Sequence, residues 1–287
     1  MSFSSSLSNK SNHTERTANI LRQSERVTAV IRKISQETPT VKSFVLEPKK
    51  ATKNIDFLPG QWLDVFIPNV SIIGGFSITS TPRHLQLTNT LDLAVKYSTH
   101  PPAKWFHEEA TLGSVVDIRV GGEFYYDAQK EKENGTRRLL FIAGGVGINP
   151  LMSMLASVIE AKEISFQNEE PENNIEKIQL LYSARTLDEL LFFGRIEQLT
   201  KKNCGSLSFD CFYFLTREDP PSSQSPRINE KFLIDLLIDD HDDKDKKDIK
   251  HLKSFLCGPT QMQKDVVGWL VNGVGLSENQ VALENWE

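Results

Sequence analysis

Three short stretches in the second half of the chain carry residues suited to holding a charged ligand. In the first, the apolar run at 139–143 leads directly into Gly144-Gly145-Val146-Gly147-Ile148-Asn149, and Pro150 follows. Glycines allow a sharp turn and let a ligand approach the backbone without meeting a Cβ. Proline suits the first turn of a helix, where its missing N–H costs little. A helix beginning there points unpaired amides and the positive end of its dipole at a pyrophosphate. The spacing is not Gly-x-Gly-x-x-Gly, so a tight strand-to-helix turn with no ligand is the competing reading of this run taken alone.

The second stretch, Tyr182-Ser183-Ala184-Arg185, ends another apolar run. It places a hydroxyl and a cation beyond the carboxyl end of a strand, where open α/β sheets bind their ligands. Arg185 there meets a ribose or a phosphate, or is an ordinary surface arginine. The third, Phe255-Leu256-Cys257-Gly258-Pro259, sets a small polarizable thiol before a turn that starts a helix. Cys257 either lines a ring-binding crevice or is a buried structural cysteine.

These residues need a sheet to bring them together, and the second half supplies its pattern. Apolar runs at 139–143, 178–183, 207–215, 252–257 and 281–286 read as strands. Between them, 150–162, 187–201, 229–238 and 259–271 read as helices. Strand–helix alternation predicts a parallel sheet with helices on both faces. Polar stretches at 165–176 and 239–250 read as solvated loops. The first half differs. Short runs at 28–34, 41–46, 62–67, 76–80, 91–97 and 115–119 are separated by Pro and Gly, which predicts an antiparallel barrel or sandwich. Only 101–110 looks helical in this half, and the polar segment 127–138 reads as a linker.

A chain of 287 residues with this change of style fits two domains. A formal net charge of −5 argues against nucleic acid as a partner. No apolar run reaches the roughly 18 residues of a membrane span. Three cysteines, Cys204, Cys211 and Cys257, lack Cys-x-x-Cys spacing and a histidine cluster, so neither a zinc site nor an iron–sulfur cluster is expected. A sparse, odd count points to a reducing, intracellular compartment. The Ser-rich start has no apolar core of a secretory signal. It reads as a disordered tail over 1–24 or as a weak mitochondrial presequence, leaving cytoplasm and mitochondrion both open.

Taken together, the segments GQWLDVFIP, GGFSI, AVKY with HPPA, VGGEF, AGGVGINPL, LYSA, CGP and the terminal ENW resemble the ferredoxin–NADP reductase superfamily over roughly residues 27–287. The resemblance implies a flavin-binding antiparallel β-barrel at 25–128 followed by a parallel-sheet NAD(P)-binding α/β domain at 137–287. It assigns Gly144 to Pro150, Ser183, Arg185, Gly258 and Pro259 to a nicotinamide dinucleotide. It assigns Phe76 and Ile78 to the flavin, FAD ahead of FMN. Ser77, Cys257 and Glu284 are implied at the reacting rings, with Trp286 beside them. The chain departs from the superfamily's Arg-x-Tyr-Ser run, which here reads Gly74-Gly75-Phe76-Ser77, and its phosphate-binding hydroxyl falls at Ala103. Both departures weaken the grip on flavin phosphates.

The implied activity is hydride transfer from NAD(P)H to flavin and onward passage of electrons. NADH is favoured over NADPH, although Arg185 also suits a 2′-phosphate. No haem or iron–sulfur motif is present, so the electron acceptor is a separate protein or small molecule. The competing reading is a nicotinamide-binding regulatory or interaction protein whose flavin site has decayed. A third is a subunit active only with an electron-transfer partner.

Overall fold

The computed structural model describes residues 13–49, 55–168, 174–202, 206–217, 227–238 and 249–284. The first half contains six strands: β1 (Val27–Thr38), β2 (Val41–Pro48), β3 (Trp62–Phe66), β4 (Gly74–Ser77), β5 (Leu91–Lys96) and β6 (Val115–Gly121). They pair antiparallel in the order β4-β3-β6-β1-β2-β5. A bridge between Ile78 and Leu93 joins the two ends of that order and closes the sheet into a barrel. Side chains alternate across a strand, so Phe44 and Leu46 of β2 and Val116, Ile118 and Val120 of β6 fill the interior. Helix α1 (His13–Arg16) lies outside this barrel, whereas Leu85 of α2 (Pro82–Thr88) and Ala103 and Phe106 of α3 (Pro101–Glu108) join its core.

The second half is a five-stranded parallel sheet. After α4 (Ala128–Glu133) come β7 (Arg138–Gly144), α5 (Ile148–Asn168), β8 (Lys177–Ala184), α6 (Phe193–Thr200), β9 (Ser208–Leu215), α7 (Glu230–Leu237), β10 (Leu252–Cys257), α8 (Thr260–Gly268) and β11 (Val281–Glu284). The sheet order is β11-β10-β7-β8-β9. All seven residues of β7 are buried, as expected of a central strand covered on both faces. Leu139, Phe141 and Ala143 pack with α5, and Leu140 and Ile142 pack with Leu233 of α7 and Val266 of α8. The expected architecture, an antiparallel barrel followed by a parallel α/β sheet, is the one found.

Four local expectations change. The polar segment 127–138 contains α4, whose N-cap Asp127 accepts from the amides of Gln129 and Lys130. Its composition looks like a linker because the helix is short and mostly solvated. Helix α2 has Thr81 as N-cap, Pro82 at its start and Asn89 in the left-handed region at its end, a complete set of terminal signals. Helix α5 runs on to Asn168, into what reads as a loop at 165–176, while 169–173 lie outside the described residues. Helix α6 starts only at Phe193, after a 3-10 turn at Leu187–Glu189. Most of 239–250, together with Cys204 and Trp286, also lies outside them.

The expected tail over 1–24 is outside the described residues up to position 12. From His13 onward it is described, and His13 is its buried anchor. His13 is 3% exposed, and its Nε2 lies 2.9 Å from Asp64 Oδ1. Its ring meets Trp62 edge-on at 4.6 Å. Gly75 makes room, since a Cβ there would collide with the imidazole. Asp64 also accepts from Arg22 Nε at 2.9 Å and Arg119 Nη2 at 2.6 Å. Burial pushes the Asp64 carboxyl up, and the hydrogen bonds from His13, Arg119 and Arg22 more than offset it, so the net shift is downward.

The two halves share a seam. Asn149 Nδ2 donates to Ala94 O at 2.7 Å, and Ser153 Oγ to Ser80 O at 2.7 Å. Phe124 and Tyr126 meet Phe255 edge-on at 5.9 and 6.3 Å.

Candidate functional site

An open cleft of about 670 Å³ lies at the carboxyl ends of β7, β8, β9 and β10, within the usual range of roughly 300–1,000 Å³ for small-molecule sites. Its floor is the turn between β7 and α5. Gly145 has φ +55° and nothing near its missing Cβ, so the backbone faces open space. A Cβ on Gly147 would collide with the Cys257 carbonyl, and one on Gly258 would lie 3.0 Å from Gly144 N. The glycines therefore let two strand ends touch and leave a bare backbone surface, the cradle a pyrophosphate needs.

One wall comes from the ends of β8 and β9. Ser183, Arg185, Thr216 and Arg227 line it. Thr216 N donates to Ala184 O at 3.0 Å and Arg217 N to Arg185 O at 2.9 Å, which fixes the two strand ends side by side. The opposite wall is Cys257-Gly258-Pro259 with Met262 and Trp269. The barrel contributes Lys96, at the end of β5. The structure thus brings together Gly144, Gly145, Val146, Gly147, Ser183, Arg185, Cys257, Gly258 and Pro259 in one cleft.

Ile148, Asn149 and Pro150 do not line it. All three are buried in the first turn of α5, whose phase turns them away from the cleft. Asn149 serves the seam through its bond to Ala94 O, and its Oδ1 is buried with no partner. Cys257 is 1% exposed, with its side chain in the apolar cluster around α5. It reaches the cleft as floor, and no disulfide involves it.

Glu284 also stands outside the cleft. It ends β11, in register with Cys257 of β10, and its backbone carbonyl accepts from Gln263 Nε2 at 2.7 Å. Burial raises its carboxyl from an ordinary 4.5 to about 8. It therefore holds a proton at neutral pH beside the strand that floors the cleft.

The barrel residues Phe76, Ser77 and Ile78 are not among those lining this cleft. The side chain of Ile78 is 0% exposed inside the barrel core, because barrel closure through Leu93 turns it inward. It is not available to a ligand. Phe76 is half-buried and meets Phe106 edge-on at 5.2 Å. Ser77 is nearly buried, with no hydrogen bond from its hydroxyl among the described residues. A Cβ on Gly74 would collide with the Phe76 ring and stand 2.7 Å from Pro102 Cβ, so no cationic side chain fits there.

Sequence reasoning missed Thr216, Arg227 and Lys96. Thr216 follows the end of β9, where the strand-end rule points. Arg227 and Lys96 join the cleft only when the two sheets are assembled, which no local pattern announces. Among the described residues no group of three His, Cys, Asp or Glu side chains is placed to hold a metal ion. No helix among them is long and apolar enough to cross a membrane.

Comparison with known proteins gives the same class. A family profile described as an oxidoreductase NAD-binding domain matches residues 141–268. The flavohaem-like FAD/NAD-binding domain of nitric oxide dioxygenase from Vibrio cholerae has a similar structure, with a TM-score of 0.68 at 18% identity, covering 91% of this chain and 98% of that one. A ferredoxin NADP+ reductase from Neisseria gonorrhoeae, solved with bound FAD and NADP, gives 0.67 at 18% identity, covering 91% and 99%. Fold and cleft define a ferredoxin reductase-like oxidoreductase fold with an NAD-binding domain. Over 281 residues the chain is 36% identical to oxidoreductase NAD-binding domain-containing protein 1 of Homo sapiens, covering 96% of this chain and 85% of that protein. The chain belongs to the oxidoreductase NAD-binding domain-containing protein 1 family.

Proposed function

We propose that this protein is an NAD(P)H-dependent flavin oxidoreductase that passes electrons to a separate acceptor, a protein or a small molecule. The observation that carries the reading is the glycine-floored cleft at the carboxyl ends of four parallel strands. A nicotinamide dinucleotide bound there supplies hydride chemistry. The chain positions it. The bare backbone from Gly144 to Gly147 and the start of α5 offer amides to the pyrophosphate. Ser183, Thr216, Arg185 and Arg227 face the adenosine end. Cys257 and Gly258 form the surface under the nicotinamide end, nearest the seam with the barrel.

NADH is the donor that the family's NAD-binding description favours, and the two guanidiniums leave a place for the 2′-phosphate of NADPH. Glu284, buried outside the cleft in register with Cys257, holds its proton behind the strand rather than facing the ligand. Asn149 fixes the barrel against the turn, so that a ring held on the barrel side faces the cleft.

The reading is tested by calorimetric titration with NADH and NADPH. The Arg185 side chain makes no hydrogen bond or ion pair among the described residues, and its backbone bond to Arg217 N survives substitution, so Arg185→Ala leaves the melting temperature unchanged. A charged hydrogen bond contributes about 1.5–3 kcal/mol, so the dissociation constant rises roughly ten- to a hundredfold. Unchanged affinity would place the nucleotide elsewhere. The second reading, a nicotinamide-binding regulatory protein, is favoured by the Phe76 ring and Pro102 closing the space over Gly74. It requires tight nucleotide binding with no reduction of any flavin.

A further inference from the structure

A second hollow, of about 450 Å³, lies where the outer face of the barrel meets the segment leading into α6. It shares no residue with the nucleotide cleft. We propose that it is a binding site for a free α-amino acid with an apolar side chain, held by its two charged ends. The inference goes beyond the reductase reading and does not depend on it.

The barrel wall follows from strand register. Lys33 of β1 stands opposite Val45 of β2, and Val45 opposite Asp92 of β5. One row across three strands therefore sets a cation and an acid with an apolar residue between them. Two residues along β1, Ser35 stands opposite Ser43, whose Oγ donates to Glu37 Oε1 at 2.6 Å. The other wall comes from the second half of the chain, through Phe192, Phe193 and Arg195. Phe192 takes φ +63°, in the left-handed region that a bulky side chain rarely adopts. Strain of this kind persists only where the surroundings enforce it, and it clusters at ligand sites.

The charges of the hollow are not spent on one another. Lys33 and Arg195 make no hydrogen bond or ion pair among the described residues, although the field of each reaches Asp92. Asp92 Oδ1 has no hydrogen-bond partner, and Oδ2 lies 3.9 Å from His84 Nε2. Burial holds the Asp92 carboxyl above its ordinary 3.8, so the two cations do not satisfy it from where they stand.

Two cations and two carboxylates thus line one hollow. A simple anion there is opposed by Glu37 and Asp92, and a simple cation by Lys33 and Arg195. A dipolar molecule answers both signs. Its carboxylate suits Arg195 and Lys33, its ammonium suits Asp92, and its apolar side chain suits Phe192 and Phe193. The volume is at the lower end of the roughly 300–1,000 Å³ of small-molecule sites, as a ligand of this size requires.

The test is calorimetric titration of the full-length protein with L-phenylalanine, L-leucine, 3-phenylpropionate and 2-phenylethylamine. The expected result is saturable binding of both amino acids, with each single-ended analogue weaker by about tenfold or more, the loss of one charge-assisted contact. Lys33→Ala, at an exposed strand position, and Arg195→Ala each weaken L-phenylalanine by a similar factor. Saturating NADH does not displace it, and NADH affinity in both variants stays within about threefold of the parent protein's. Absence of binding by either amino acid at millimolar concentration, equal binding of the single-ended analogues, displacement by NADH, or affinity indifferent to both substitutions would overturn the inference. The NADH titration of the same preparation reads the nucleotide cleft separately, so an empty hollow beside normal NADH binding would leave the reductase reading standing.

Discussion

At the scale of single residues, the cleft depends on what is absent as much as on what is present. Gly147 allows the turn to lie on the Cys257 carbonyl, and Gly145 leaves the backbone bare. That part was legible, because glycines between an apolar run and a proline have few other uses. Ile78 and Asn149 lie away from the cleft for a physical reason. Which way they face is set by barrel closure and by the phase of α5, and neither shows in a motif. Glu284 carries a residue-scale consequence. Its pKa is raised on folding, so the native state binds a proton that the unfolded chain has lost between pH 4.5 and about 8. The protein is therefore destabilised as pH rises through that window, at up to about 1.4 kcal/mol per unit, and the penalty is absent below it. Glu284→Gln removes the slope, which denaturant unfolding at several pH values measures. An unchanged slope would mean that the carboxyl is already charged at neutral pH.

At the scale of elements, strands were the easiest to read. Alternation in β2 and β6 and continuous burial in β7 announce a half-buried barrel strand and a central parallel strand. Short helices were harder. Helix α4 buries only Glu131 and declares itself by a cap alone. The segment around α1 was hidden by composition, since its order comes from one distant acid. Asp64 is enclosed and gathers His13, Arg22 and Arg119. Replacing it leaves the partly buried guanidiniums of Arg22 and Arg119 without their counter-ion, which costs at most about 3 kcal/mol. Asp64→Asn therefore lowers the melting temperature and raises amide exchange across 13–22 before the rest of the barrel. Its carboxyl titrates below 3.8, so this stabilisation is present above that pH and is lost as pH falls through the depressed value. Uniform exchange across the barrel would contradict a local tether.

At the scale of the whole molecule, function requires that two separately built halves present one ring to the other. The contacts that set this are few and polar at the rim, with aromatic packing around Phe255 behind them. Asn149→Ala removes the bond to Ala94 O without touching the cleft. NADH affinity is expected to stay within about threefold, while flavin reduction slows by roughly tenfold or more, since reacting rings tolerate little misplacement. Stopped-flow reduction and calorimetry on the same variant separate the two effects. Equal loss in both would make Asn149 part of the nucleotide site. The two-half architecture was legible from the change in sequence rhythm near residue 138. The placement of Lys96 and Arg227 beside the glycine turn was not, because it arises only when the sheets are assembled.

In the proposed reaction the cleft delivers a hydride to a flavin ring. The most direct measurement mixes the purified protein anaerobically with flavin and with NADH carrying deuterium at either face of nicotinamide C4, and follows the oxidised-flavin absorbance. Hydride transfer from a nucleotide held in this cleft gives bleaching that depends on the protein, saturates with NADH and slows when deuterium occupies one face only. Bound NADH with no bleaching, or bleaching indifferent to deuterium on both faces and to Asn149→Ala, would contradict it.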